Sequence, residues 1–298
     1  MKILTFDVED WFHILDNDET RDVDAWRTFP SRIESGVERI LNYCDRAQQT
    51  ATFFILGWMA EVAPGVMAEI ARRGHEIGCH SYRHQLVYSQ TPQEFEGDLR
   101  RALDHIEAAT GARPRSYRAP GFSITPDCLW AFDILAASGI EVDASVFPAP
   151  RAHGGLPGFP EGRPCRLETL SGREMRMFPM SYGTVLGRRL VFSGGGYFRL
   201  LPYPALRRGF AGSDYVMTYF HPRDFDPEQP MVPGLSRARR FKSYVGLAGA
   251  LGKLERLTAE DGFVSMGQAE AAIDWADTPR VACSDVAETA KTKESAHV

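Results

Sequence analysis

The chain has 298 residues, of which 44% are hydrophobic and 24% charged, with a formal net charge of -5. This composition is that of a globular protein, and its acidic balance gives no electrostatic reason to expect nucleic acid as a partner. No run approaches the roughly 18 to 20 apolar residues of a transmembrane segment. The five cysteines are scattered without a C-x-x-C pair, which predicts reduced, buried thiols.

The amino-terminal residues do not resemble a secretory signal. They read Met-Lys-Ile-Leu-Thr-Phe-Asp and reach an acidic cluster before any apolar core has formed. We therefore expect a cytoplasmic protein, and we keep open an association with a membrane assembly complex. The sequence does not indicate an oligomeric state.

Apolar patterns in the first half predict strands and helices in alternation. At about 30 residues per unit, this rhythm predicts a parallel sheet, and in a closed barrel of that kind the functional side chains lie at the carboxyl ends of the strands. The predicted elements are a strand over 2–6, a helix over 31–44, a strand over 51–56, a helix over 64–73, a strand over 75–79, a helix over 91–109, a strand over 116–118, a helix over 126–138 and a strand ending at 142.

The second half has a different composition. From about residue 148 it is rich in proline and glycine, which predicts long loops and a β-insertion, with a strand over 215–220 and a helix over 244–257. Residues 276–298 are polar, which predicts a disordered tail. We therefore expect one domain over 1–275, with an insert or extension from about 148 to 275.

Three polar clusters each follow an apolar run. The first is Asp7-Val8-Glu9-Asp10, the second contains His80 and His84, and the third contains His221. Two histidines four residues apart predict a helical turn that presents both imidazoles to one metal ion. Strand alternation puts Asp7 and Glu9 on one face and Asp10 on the other. Because strand ends meet at one rim, we expect the clusters to converge.

Five short motifs resemble, in order and approximate spacing, those of the polysaccharide deacetylases of carbohydrate esterase family 4, the NodB-homology proteins. The resemblance covers residues 1–275. It implies an α/β fold, a distorted (β/α)7 barrel with an irregular C-terminal extension. The motifs are Thr5-Phe6-Asp7, His80-Ser81-x-x-His84, Arg118-x-Pro120, Asp143-Ala144-Ser145 and the late His221.

Three further stretches are similar to a narrower group, the deacetylases found in exopolysaccharide loci of exosortase-bearing Gram-negative bacteria. This second resemblance implies a role in exopolysaccharide biosynthesis. The stretches are Gly194 to Tyr203, Tyr219 to Pro222 and Asp226 to Pro230.

The family resemblance implies a divalent metal, most simply Zn²⁺, held by His80, His84 and a carboxylate. Most members have two adjacent acids, a base followed by a metal ligand, and here Val8 occupies the second place. Some members place the ligand two residues after the base. This predicts Glu9 as the third ligand, with Asp10 as the alternative.

The resemblance also implies catalytic roles. Asp7 is expected to be the general base and Arg118 the cation that pairs with it. The backbone N–H of Gly121 would receive the oxyanion. His221 would protonate the leaving nitrogen, and Asp143 would orient His221.

The predicted function is metal-dependent hydrolysis of N-acetyl groups. The expected substrate is an N-acetylhexosamine-containing exopolysaccharide or a lipid-linked oligosaccharide precursor. One alternative is a cyclic amide or ureide hydrolase of the same fold, which a closed pocket would favour over an open groove. Another is a catalytically inactive carbohydrate-binding protein, because Val8 departs from the family pattern.

Overall fold

A computed structural model describes residues 1–15, 17–149, 153–157, 159, 162–185 and 188–295. Pro150, in the predicted proline- and glycine-rich region, and residues 296–298 of the predicted tail lie outside the described residues. In the described part, no helix is both long enough and apolar enough to cross a membrane.

The strands are numbered in chain order. They are β1 (Lys2–Ile3), β2 (Thr5–Val8), β3 (Thr52–Ile55), β4 (Glu76–Cys79), β5 (Ser116–Tyr117), β6 (Val142–Asp143), β7 (Cys165–Glu168), β8 (Glu174–Met177), β9 (Gly183–Val185), β10 (Arg188–Leu190), β11 (Val216–Met217) and β12 (Arg280–Ala282).

The α-helices are numbered in the same way. They are α1 (Ile33–Ala47), α2 (Gly57–Val62), α3 (Pro64–Arg72), α4 (Pro92–Thr110), α5 (Trp130–Ala137), α6 (Gly195–Leu200), α7 (Tyr203–Ala211), α8 (Arg237–Tyr244), α9 (Leu247–Glu260), α10 (Met266–Ala272) and α11 (Cys283–Ser295).

Parallel pairing dominates the sheet. Strands β2, β3, β4, β5, β6 and β8 lie side by side in parallel. On the other side of β2, a parallel bridge joins Phe6 to Phe220, and β11 pairs in parallel with β1. The main sheet has eight strands in the order β2-β3-β4-β5-β6-β8-β7-β12, in which β7 runs antiparallel to β8. Its parallel core confirms the predicted α/β, barrel-like fold.

Local sequence explains these elements. Every residue of β2 and β3 is buried, as is typical of parallel strands covered on both faces. Helix α4 begins after Thr91, whose side chain accepts a hydrogen bond from the backbone N–H of Glu94. It ends at Gly111, which has φ 72° and so tolerates the left-handed turn that closes the helix. All five cysteines are free and buried, as predicted.

Two parts of the chain are more regular than the sequence predicted. The region after residue 148 contains the strands β7 to β11 and the helices α6 to α10 rather than mainly long loops. The prediction of a disordered tail is wrong for most of its length, because β12 pairs with β7 and α11 follows directly. Val281, Cys283 and Val286 are buried, and these apolar side chains anchor an otherwise polar segment.

Candidate metal centre and active-site cleft

The carboxyl ends of the parallel strands open into a cleft of about 400 Å³. Glu9 follows β2, His80 follows β4, and His221 follows the residues that extend β11. Each of these side chains lines the cleft. The three polar clusters of the sequence therefore meet at one rim, as predicted.

Glu9, His80 and His84 form a compact group of possible metal ligands. The Oε1 atom of Glu9 lies 2.9 Å from Nε2 of His80 and 2.9 Å from Nε2 of His84. Two imidazoles and one carboxylate are the protein ligands of many catalytic zinc sites, which leave one position open. The donor set therefore fits a divalent ion.

The hydrogen bonding of His80 supports the same assignment. Its Nδ1 lies 2.7 Å from the carbonyl oxygen of Arg118 and donates to it. In the neutral ring, Nε2 then carries a lone pair that points at the Glu9 carboxylate, an arrangement that a metal ion bound to both groups would stabilise. Burial alone would raise the pKa of Glu9, but the charges and hydrogen bonds of the surrounding histidines hold it well below its usual value.

The two histidines do not lie on a helical turn, so that prediction is wrong. They belong to a loop after β4 in which Ser81 has φ 64° and His84 has φ 55°. The backbone N–H of His84 donates to the side-chain oxygen of Ser81 over 3.1 Å. This local bond helps to hold a left-handed conformation that is costly for residues other than glycine.

Asp10, the alternative third ligand, faces away from the histidines. Its carboxylate accepts hydrogen bonds from the backbone N–H of Trp11 at 2.8 Å and of Arg32 at 2.9 Å, and from the hydroxyl of Ser31 at 2.6 Å. These contacts fix the segment that leads into α1. Glu9 is therefore the carboxylate available to a metal, whereas Asp10 stabilises the segment that leads into α1.

Asp7 and Arg118 form a buried ion pair beside this group. An Nη1 hydrogen of Arg118 is donated to Oδ1 of Asp7 over 2.7 Å, and Nη1 also lies 2.8 Å from the hydroxyl oxygen of Thr5. The side chain of Arg118 is completely buried. Oδ2 of Asp7 faces the cleft, 3.9 Å from Nε2 of His221.

His221 is oriented by Asp224, not by Asp143. Its Nδ1 lies 3.1 Å from Oδ2 of Asp224, and the same oxygen accepts the backbone N–H of His221 at 2.9 Å. Burial alone would lower the pKa of His221, but Glu9, Asp224 and Asp7 outweigh it and raise the pKa to about 9. These carboxylates favour the protonated imidazole, which can donate a proton into the cleft.

The predicted contact between Asp143 and His221 is wrong. The Asp143 carboxylate accepts the backbone N–H of Ser145 at 2.8 Å and the Ser145 hydroxyl at 2.6 Å. The Ser145 oxygen in turn accepts the backbone N–H of Ala119. This chain of hydrogen bonds fixes the turn that follows Arg118, and burial raises the pKa of Asp143 to about 7.

Gly121 lies on the wall of the cleft at the turn after β5. Its φ is 63°, and a Cβ at this position would lie 2.8 Å from a methyl carbon of Leu15. The position therefore suits glycine on both conformational and steric grounds. Its backbone N–H stays the predicted oxyanion donor.

A known protein family matches most of the amino-terminal half of the chain. Residues 17–137 match the family model for polysaccharide deacetylases. This match covers less than half of the chain, so over these residues the chain is similar to polysaccharide deacetylases. Residues 144–271, which include Asp224, match a family described as a domain of unknown function, DUF3473.

The chain is similar to curated relatives over part of its own length and part of theirs. A peptidoglycan deacetylase-like protein of Gibberella zeae is 32% identical over 113 residues, which are 37% of this chain and 32% of that protein. A peptidoglycan deacetylase of Helicobacter pylori is 32% identical over 118 residues, 38% of each chain. The match thus spans only about a third of these relatives.

Solved structures show the same fold over nearly the whole chain. A polysaccharide deacetylase homologue from Mycobacterium smegmatis has a TM-score of 0.58 at 22% identity, covering 98% of this chain and 90% of its own. A family 4 pseudoenzyme from Bacillus anthracis has a TM-score of 0.50 at 14% identity, covering 94% of this chain and 66% of its own. At these identities the likeness concerns the fold.

Two residues beside the candidate site are not predicted from the sequence. Asp224 lies three residues after His221, at the spacing of a capping contact, and that spacing was the available signal. Arg199 forms an ion pair with Asp224 over 3.2 Å, and nothing local in the sequence indicates this contact. Gly195 begins α6 directly against the Asp224 carboxylate.

Proposed function

We propose that this chain is a metal-dependent N-deacetylase that removes acetyl groups from the N-acetylhexosamine residues of a glycan. The glycan is an exopolysaccharide or its lipid-linked oligosaccharide precursor, and the metal is Zn²⁺. The observation that carries the proposal is the convergence of Glu9, His80 and His84 on one point beside the ion pair of Asp7 and Arg118.

The proposed ligands of the metal are Glu9, His80 and His84. A divalent ion bound there would supply Lewis acidity, which polarises the amide carbonyl and acidifies water. Val8, which departs from the family pattern, is offset by Glu9, whose carboxylate contacts both histidines. This contact favours an active enzyme over an inactive binding protein.

The proton transfers are assigned to residues of the chain itself. Asp7 takes a proton from the water whose oxygen attacks the acetyl carbon, and Arg118 holds the carboxylate in place and ionised. The backbone N–H of Gly121 donates to the oxyanion that develops on the acetyl oxygen. His221 gives its Nε2 proton to the nitrogen as the carbon–nitrogen bond breaks, so the products are acetate and a free amine.

The shape of the site favours a glycan over a small cyclic amide. A second cavity of about 470 Å³ adjoins the cleft, so the open space beside the proposed metal site extends beyond the cleft itself. Tyr197, which is 48% exposed, lines the cleft and offers a ring on which a sugar can stack. The residues shared by the linings of the two cavities are His13, Ile14, Leu15 and His84.

Acetate release from N-acetylated oligosaccharides tests the proposal. The zinc-loaded protein is expected to release acetate, whereas Asp7→Asn is expected to keep its zinc and to lose at least roughly 100-fold in kcat, because the general base is removed. Asp104→Asn, an exposed position on α4, is the matched control and is expected to behave like the wild type. Wild-type turnover in Asp7→Asn would exclude Asp7 as the base.

A further inference from the structure

The walls of the cleft carry opposite charges. The strand ends contribute the acids Asp7 and Glu9, whereas residues 195–243 contribute four arginine or lysine side chains and a single acid, Asp224. The cations of this second wall are Arg199, Arg223, Arg239 and Lys242. The formal net charge of the whole chain is -5, so this local excess of positive charge does not follow from the overall composition.

Two of the four cations have structural partners. Arg199 is buried, forms the ion pair with Asp224 and donates to the carbonyl oxygens of Ser243 at 2.7 Å and Val245 at 3.2 Å. Arg239 donates from Nη2 to the carbonyl oxygen of Leu15 over 2.6 Å. These contacts hold α8 over the cleft and position its other side chains.

Neither of the other two cations forms an ion pair with a carboxylate among the described residues, although Asp224 and Glu9 lie close enough to act on the charge of Arg223. Arg223 is half-buried, and among the described residues its guanidinium makes a single hydrogen bond, to the carbonyl oxygen of Trp11 at 3.3 Å. A guanidinium has five N–H donors, so the described residues leave most of the hydrogen-bonding capacity of Arg223, which lines the cleft, unused. Lys242 is exposed at the mouth, and within the described ranges its ammonium has no hydrogen-bond or ion-pair partner.

Helix α8 concentrates this charge. Its sequence from Arg237 to Tyr244 contains three arginines and one lysine and no acid, and none of its residues is buried. Packing against the core therefore does not account for the basic residues of this helix. An anion approaching the metal site along this side of the groove would meet Lys242 first and Arg223 further in.

We propose that Arg223 and Lys242 form a subsite for an anionic group, a carboxylate or a phosphate, that the glycan carries next to the N-acetyl sugar being hydrolysed. The arginine supplies the planar pair of donors that suits both groups, and the lysine supplies a mobile point charge. This inference rests on the proposed function, because it names the class of glycan that the deacetylase accepts.

Matched oligosaccharides of equal length test the subsite. One series is neutral, the second carries a uronate beside the N-acetyl sugar, and the third carries a phosphate at the same place. The wild type is expected to show a KM at least about tenfold lower for one anionic series than for the neutral one, and this preference is expected to shrink as KCl is added. The series with the lower KM identifies the anion. Equal KM values for all three series would overturn the inference.

Two variants of α8 distinguish a specific subsite from the summed electrostatic field of the helix. Lys242→Gln is expected to reduce the anionic preference about fivefold or more. Arg240→Gln removes the same charge two residues earlier on α8. The Arg240 side chain contacts Met231 and does not line the cleft, so this variant is expected to keep the preference. An equal loss in both variants would show that the summed charge of the helix acts without a specific site.

Equilibrium binding keeps this test independent of catalysis. Calorimetric titration of the same oligosaccharides into the wild type and Lys242→Gln measures the anionic preference even if no acetate is released. Absent acetate release with preserved preference would reject the deacetylase and keep the subsite. Acetate release without any preference would do the reverse.

Discussion

Residues 1–143 place their site side chains directly after parallel strands, whereas the later residues place most of theirs on short helices packed over the strand ends. Glu9 and His80 belong to the first kind. Asp224 on the turn Pro222–Phe225, Arg199 on α6 and Lys242 on α8 belong to the second. Among these site residues of the later half, His221 is the exception, because it directly follows Phe220, which forms a parallel bridge to Phe6.

This difference indicates that the two halves have different roles in the site. Strand ends are fixed by backbone pairing on both sides, so they suit groups that must converge within about 3 Å. Helices laid over the rim can vary in sequence without disturbing the sheet, so they suit groups that orient a catalytic residue or select a substrate. Changes in the first half are therefore expected to abolish function, and changes in the second half to modify it.

The largest effect is expected at the proposed metal ligands. His84→Ala should reduce bound zinc to background, because the remaining two ligands no longer close the site, and acetate release should fall by more than the roughly 10- to 100-fold typical of an outer-shell loss. Elemental analysis after dialysis measures the metal. His105→Ala, a half-buried histidine outside the cleft, is the control and should keep its zinc. Full occupancy in His84→Ala would remove that histidine from the ligand set.

A smaller effect is expected at Asp224. Asp224→Asn should keep zinc but lower kcat about 10- to 100-fold, because His221 loses the carboxylate that orients its ring. The sign of the pH effect follows from the charge. The carboxylate raises the pKa of His221, so its removal should lower that pKa and move the alkaline limb of the kcat profile to lower pH. An unmoved alkaline limb would argue against His221 as the proton donor.

The glycine that begins α6 gives a finer test of the second half. A Cβ at position 195 would lie 2.2 Å from the Asp224 carboxylate, so Gly195→Ala should displace that carboxylate and cost roughly 1–3 kcal/mol of unfolding free energy. Gly196→Ala is the matched control, because a Cβ there meets nothing within 4 Å. Urea unfolding of both variants measures the difference. Equal stabilities would mean that α6 can shift without strain.

The sequence predicted the first half better than the second for a physical reason. The strands and helices up to β6 follow from local periodicity, and the family motifs lie at their ends. The contact between Arg199 and Asp224 joins residues 25 positions apart through packing, which no local pattern reports. The loop from His80 to His84 was mistaken for a helical turn because four-residue spacing is also compatible with left-handed residues in a tight loop.

The carboxy-terminal segment and Asp143 also show that local sequence patterns do not report contacts between distant parts of the chain. Polar composition predicted disorder after residue 276, but a few buried apolar side chains and one strand pairing are enough to order most of that segment. Asp143 matched a family motif and was assigned to His221 by order along the chain. The motif located a buried acid, and only the hydrogen bonds identify its partner as Ser145.

Asp143 also provides the smallest predicted effect, at the junction of the two halves. Burial raises its pKa to about 7 from the ordinary value of 3.8, so the folded protein prefers the neutral acid. Its contribution to stability is therefore complete below about pH 4 and is lost as the pH rises through about 7. Asparagine resembles the neutral acid at every pH.

Asp143→Asn should accordingly gain stability relative to the wild type between pH 5 and pH 8, by roughly 1–3 kcal/mol. Urea unfolding at both pH values measures the gain, with Asp104→Asn as a control whose difference from the wild type should stay constant. Because Asp143 does not contact His221, its replacement should leave the alkaline limb of the kcat profile in place, unlike Asp224→Asn. A shift of that limb in Asp143→Asn would return this carboxylate to the role that the sequence motif implied and would weaken the division between the two halves.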